Sequence, residues 1–124
     1  MSGAGVDGRE DRGSVTAEFA LLLPAVVVLL ALALGAVRVV VTQLQCVDAA
    51  RAAARVAARG ESVDVVRQVA HAAGPDGATV RVATGTAAGS ATVTVEVSAT
   101  RRLAGPVGGT VLARGAATAA VETP

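Results

Sequence analysis

The chain has 124 residues, 52% of them hydrophobic and 17% charged, with a formal net charge of +1. That length leaves room for one small folded domain beside any long apolar segment. The near-neutral charge exerts no strong pull on nucleic acid, and the single aromatic, Phe19, offers no stacking platform for bases, so no nucleic-acid partner is expected.

The first element in chain order is an apolar run. Residues 19–37 carry no charge, and as a helix those 19 residues would be about 28 Å long, close to the roughly 30 Å of a bilayer's hydrocarbon core. The run exceeds the roughly 7–15 apolar residues of a secretory signal, although Ala31-Leu32-Ala33 would pass as a signal-peptidase site. Pro24 removes one helical hydrogen bond inside the span, which membrane helices tolerate where a neighbouring helix covers the gap. Charge bias gives a contrary topology: Arg9 and Arg12 upstream stand among Asp7, Glu10 and Asp11, while Arg38, Arg51 and Arg55 follow. Counted alone, those arginines favour a cytoplasmic C-terminus. Glu18 stands at the threshold of the span. A charged side chain costs about 2.5–3.5 kcal/mol at the centre of a membrane helix and less toward its edge, so a carboxylate there is a functional candidate by default.

Past the span, Val39, Val40, Val41 and Leu44 remain apolar, and "DAARAAARVAARG" is rich in the strongest helix former, so the helix is expected to continue to residue 59 with Gly60 as its cap. Arg51, Arg55 and Arg59 recur every four residues and make one stripe. It reads first as a solvated face, with contact to acidic partners or headgroups as the alternative. The alanines allow another helix to approach closely. Cys46 excludes an intramolecular disulfide, being the sole cysteine. It reads as a small apolar residue on a packed helix, with an intermolecular disulfide as the alternative. Ser62 is placed to cap a second helix, "SVDVVRQVAHAA", with Val66, Val69, Ala70 and Ala73 on one face. Gly74-Pro75 ends it, and His71 falls on the polar side as a solvated residue.

The period then changes to two. "ATVRVAT" and "ATVTVEVSA" put Val80, Val82, Val93, Val95 and Val97 on one face of a hairpin, with "GTAAGS" read as its loop. A weaker strand is expected over residues 112–122 after the loop "RRLAGPVGGT". "GPVGGT" is followed by no Gly-Lys-Ser/Thr and is not a phosphate loop. A three-stranded antiparallel sheet with one valine face must lie against a helix or a partner. The domain after residue 59 is about 65 residues long, a size at which stability is marginal; without aromatics it is expected to depend on neighbouring subunits. One Cys, one His and scattered carboxylates assemble no triad, metal set or paired acids, so neither enzymatic activity nor a cofactor is expected.

Arg12-Gly13, four residues "SVTA", then Glu18-Phe19 and an apolar helix resemble the cleavage motif of type IV prepilins. The Glu-Phe form is similar to the tight-adherence (Flp, type IVb) branch. With "QLQCVDAARAAARVAARGE" and the β-rich tail, the chain resembles the TadE-like minor pilins or pseudopilins. The resemblance implies a leader at residues 1–13, cut by a prepilin peptidase on the cytoplasmic face after Gly13, so that Ser14 becomes the first mature residue. It implies that Glu18 and Phe19 belong to the peptidase motif, and that Glu18 meets the N-terminal amine of a neighbouring subunit. The expected fold is α+β and pilin-like: a helix over residues 14–59 spanning the inner membrane at 19–37, then a small extracytoplasmic domain at 60–124 with a short helix and a three-stranded antiparallel sheet. Implied partners are the membrane, the peptidase, other pilins or pseudopilins and the inner-membrane assembly platform, with incorporation into a surface pilus and a part in adhesion. The alternative function is a single-span or secreted envelope protein whose sheet domain is a binding module.

Overall fold

The computed structural model describes the backbone of residues 8–103 and 108–122 and the side chains from residue 13 on. Residues 1–7 of the expected leader and residues 104–107 of the second loop, with half of "GPVGGT", lie outside the described residues. The element order is α1 (Gly8–Ala58), α2 (Val63–Ala73), β1 (Thr79–Ala87), β2 (Ser90–Arg102) and β3 (Thr110–Ala120). This is the α+β layout expected: a long N-terminal helix, a short second helix and one antiparallel sheet of order β1-β2-β3.

Helix α1 is 51 residues long and passes through Pro24 without a break. Its two halves differ in surroundings. Large apolar side chains from Val15 to Val41, apart from the half-buried Val39, stand exposed, Phe19 at 69% and Leu21 at 76%. From Thr42 on, one face is buried: Thr42, Cys46, Ala49, Ala50, Ala53 and Ala57 follow three- and four-residue steps and press on the sheet. Arg51, Arg55 and Arg59 occupy the opposite, exposed face, as expected of a solvated stripe.

The cap residues act locally. The Ser62 hydroxyl accepts from the Val65 amide at 3.4 Å and starts α2, and Gly60 at φ +82° lets the chain turn after α1. Val66 and Ala70 of α2 are buried against α1, while His71 and Ala73 are exposed. His71 is thus solvated, as its face implied.

In the sheet, β2 is central. Val80 pairs with Val97 and Val82 with Val95 on one side, and Val97 with Gly115 and Val95 with Ala117 on the other. The expected valine face therefore forms: Val95 and Val97 are fully buried, and Val80, Val82 and Val93 pack around them. The reverse face is polar, with the Thr94 and Thr118 hydroxyls 2.8 Å apart and Arg114 Nε 3.3 Å from Glu96 Oε1. Such an exposed ion pair contributes little to stability.

Several boundaries differ from expectation: α1 starts at Gly8 rather than at residue 14, and β2 runs through Arg101 and Arg102 rather than leaving them to the second loop. "GTAAGS" is mostly strand rather than loop, because pairing continues to Ala87↔Ser90 and leaves only Ala88 and Gly89 to turn. Both have positive φ, 50° and 78°, the geometry that suits a two-residue hairpin to the sheet's twist. The third strand starts at Thr110 and ends at Ala120, about two residues earlier than its composition implied. Pairing with Arg102 and Arg101 of the longer β2 draws Thr110 and Val111 into the ladder.

The helix with its seat on the sheet: a candidate functional site

The residues that carry the candidate processing motif all stand on one surface helix. Gly13, Ser14, Glu18 and Phe19 are exposed on α1, and a Cβ added at Gly13 would meet nothing within 4 Å. Ser14 and Glu18 are four residues apart and so lie one above the other on the same face. No part of the sheet reaches them: Glu18 is about 42 Å along the helix from Cys46. Among the described residues no cation pairs with the Glu18 carboxylate. The Gly13–Ser14 peptide bond lies inside the helix, which begins at Gly8.

The other half of α1 is held by devices that periodicity does not show. At Gly115 the β3 backbone touches the helix backbone: an added Cβ there would lie 2.5 Å from the Cys46 carbonyl oxygen and collide with the Cys46–Val47 peptide. No residue but glycine fits that crossing as it stands. One turn earlier, the Gln43 side chain pairs with the backbone of Arg114 on the sheet's edge. Its Nε2 donates to the Arg114 carbonyl, and the Arg114 amide donates to its Oε1 at 2.9 Å. An edge strand otherwise leaves such groups open to another chain. The amide side chain thus fixes the helix along β3 and closes part of that edge. At the far end the Glu122 amide donates to the Ala58 carbonyl at 3.2 Å, so β3 follows α1 in the same direction.

Cys46 sits at the centre of this seat with no exposure at all, its thiol 3.9 Å from the Ala113 carbonyl oxygen. Burial pushes the thiol above its ordinary pKa, and the positive charge of Arg101 opposes that in part. This is the packed cysteine of the sequence reading. An intermolecular disulfide would require the sheet to leave the helix.

Thr42, also buried, donates its hydroxyl to the Arg38 carbonyl at 2.9 Å. Among the described residues no cluster of three His, Cys, Asp or Glu side chains is placed to hold a metal. Among the described residues one helix is long and apolar enough to cross a membrane, and none of its most apolar window is buried within the chain.

Comparison with known proteins agrees with the family resemblance. The family described as TadE-like protein matches residues 13–55, a stretch that contains Gly13, Glu18, Phe19, the apolar span and the Gln43–Cys46 seat. The second helix and the whole sheet lie beyond it. A relative named "Apoptosis inhibitor Rv3655c", from Mycobacterium tuberculosis (strain ATCC 25618 / H37Rv), is 46% identical over 56 residues, 43% of this chain. The similarity spans 45% of that relative's length. No solved structure matches. Through residues 13–55, from the glycine to the alanine-rich seat, the chain is similar to the TadE-like family.

Proposed function

We propose that the chain is a minor pilin or pseudopilin of a tight-adherence (Flp, type IVb) pilus, a structural subunit and not an enzyme. A prepilin peptidase cuts it between Gly13 and Ser14 on the cytoplasmic face. The mature helix stays in the inner membrane, with residues 60–124 outside the cytoplasm, until the subunit joins or primes the filament. The observation that carries this reading is a single helix that bears Gly13, Glu18-Phe19 and a wholly unburied apolar surface within the TadE-like stretch.

The geometry supports three steps. A peptidase takes its substrate extended, so the turns around Gly13 must open first. Glycine makes that cheaper by about 1 kcal/mol relative to alanine. After the cut, Ser14 carries a free amine one turn from Glu18, near the positive end of the helix dipole, where an exposed carboxylate gains about 0.3–1 kcal/mol. In the stored monomer the two groups pair. In the assembly the amine of a neighbouring subunit takes over and fixes the axial register. Pro24, which has no N–H for the carbonyl of residue 20, suits a helix that packs against other helices.

The decisive measurement is the N-terminal sequence of the protein isolated from its own membranes. A start at Ser14 is the expected result. An intact Met1 or a start near Gly35 would overturn the reading and support the second one, a single-span or secreted envelope protein whose sheet domain binds a ligand. The name of the mycobacterial relative, an apoptosis inhibitor, is the observation that favours keeping that second reading. Replacement of Gly13 by a bulky residue should leave an uncut, membrane-bound precursor.

A further inference from the structure

Where α1 leaves its exposed apolar stretch, the end of β2 stands off from it and a cleft of about 640 Å³ opens between them. Its helix wall comprises residues such as Ala31, Leu34 and Arg38, and its sheet wall is Arg101, Arg102 and Leu103. Leu103 closes over Gly35, its Cδ2 3.8 Å from the position of an added Cβ there. The lining thus combines two chemistries. The end nearer residue 31 is aliphatic and continuous with the exposed apolar surface. The rest of the lining includes the cations, Arg38 from α1 and Arg101 and Arg102 from β2. Among the described residues none of the three has a carboxylate partner; the ion pair found is Arg114–Glu96.

Three arginines without a carboxylate partner leave the cleft with positive charge that an anion would offset. Arg38 is also the first charge after the span of residues 19–37, so it marks the depth at which the helix leaves hydrocarbon. Arginine stems run along apolar surface while their heads reach the headgroup layer, and the planar guanidinium matches phosphate oxygens two at a time. We propose that this cleft holds one anionic phospholipid, its phosphate among Arg38, Arg101 and Arg102 and an acyl chain along the helix wall below them. The proposal rests on the membrane-span reading above. It gives Arg38, one of the arginines that charge bias counts against an outer C-terminus, a role in holding a lipid. It also ties the sheet to the membrane surface where Arg101 and Arg102 end β2, which stops the domain from swinging on the helix.

The test uses the full chain, first floated with neutral phosphatidylcholine vesicles and then titrated in detergent with phosphatidylglycerol or phosphatidylcholine, bound lipid being counted by native mass spectrometry. Wild type should retain one phosphatidylglycerol in preference to phosphatidylcholine. Each arginine near a membrane surface contributes about fivefold in affinity. Arg38→Gln/Arg101→Gln/Arg102→Gln should therefore lose about a hundredfold, while the three lysine replacements keep most of the preference. Arg51→Gln/Arg55→Gln/Arg59→Gln removes the same charge from the distal stripe and should leave the preference intact. An equal loss in that control would overturn the cleft in favour of diffuse attraction. Inorganic phosphate bound as tightly as the lipid would overturn the lipid assignment in favour of a free-anion site. Loss of self-association in the cleft variant, with lipid retention unchanged, would make the occupant a second copy and overturn it too. Failure of wild type to float with neutral vesicles would remove the membrane span itself, and the proposal with it, whereas normal floating without lipid preference would refute the cleft alone.

Discussion

Gly115→Ala measures how closely the helix is seated. The added methyl would meet three backbone atoms, Cys46 C, Cys46 O and Val47 N, with the oxygen at 2.5 Å. Peptide atoms cannot turn aside as a side chain can, so α1 and β3 must separate by about 0.5–1 Å, a gap that forfeits a quarter to a half of each dispersion contact across it. Overpacking of this kind costs about 1–3 kcal/mol, and rigid obstacles place it in the upper half of that range. Against this, replacing glycine stiffens the unfolded chain and returns about 0.4–1 kcal/mol. The net loss is about 1–2.6 kcal/mol, or about 5- to 80-fold in the opening equilibrium. The chain supplies its own reporter. Cys46 is the sole cysteine, fully buried at this contact, with a thiol that burial keeps protonated. The rate at which a thiol reagent labels native protein, under conditions where opening is fast and reversible, follows that equilibrium. Labelling of Gly115→Ala should therefore be faster than wild type by that factor. Gly85→Ala, whose added Cβ would meet only Thr92 Oγ1 at an ordinary 3.6 Å, should change it little. Equal labelling of Gly115→Ala and wild type would refute the close seating of helix on sheet.

Gln43→Ala removes both bonds to the Arg114 backbone, and at about 0.5–1.5 kcal/mol for the net loss of a hydrogen bond it should speed Cys46 labelling several-fold; an unchanged rate would mean that the edge contact adds nothing. Glu18→Gln keeps shape and removes charge: supplied in a chain shown to be cut, it should insert normally yet fail to co-isolate with the pilus machinery, and normal piliation would sink the register role. Ser90→Cys in a Cys46→Ala background puts a thiol at the exposed hairpin, which a membrane-impermeant reagent should reach in intact spheroplasts; protection until lysis would place the sheet in the cytoplasm.

Much of this protein was legible because its elements are written in local chemistry. Nineteen uncharged residues at 19–37 specify a long apolar helix from hydropathy alone. Ser62 and Gly74-Pro75 bracket α2 through backbone groups within a turn of each residue. Alternating valines fix which face of β1 and β2 is buried, since a slip of one residue would turn every valine outward. The Gly13-to-Phe19 spacing pointed to the TadE-like proteins, and residues 13–55 match that family. Other features depend on atoms far apart in the chain. The two-residue turn at Ala88-Gly89 follows from how far the ladder extends, and small residues such as those in "GTAAGS" neither demand nor forbid pairing. Gly115 looks like any other glycine in a weak strand until a helix lies across it. Gln43 looks like a solvated side chain until its amide meets the edge of β3, 71 residues later. Arg38 sits more than sixty residues before Arg101 and Arg102, and only the docking of β2 beside α1 sets the three around one cleft. Periodicity and capping act over one to four residues, so sequence alone decided the elements and their buried faces. Which residues on those faces meet depends on the register of helix against sheet, a sum of many weak contacts that only the folded chain resolves.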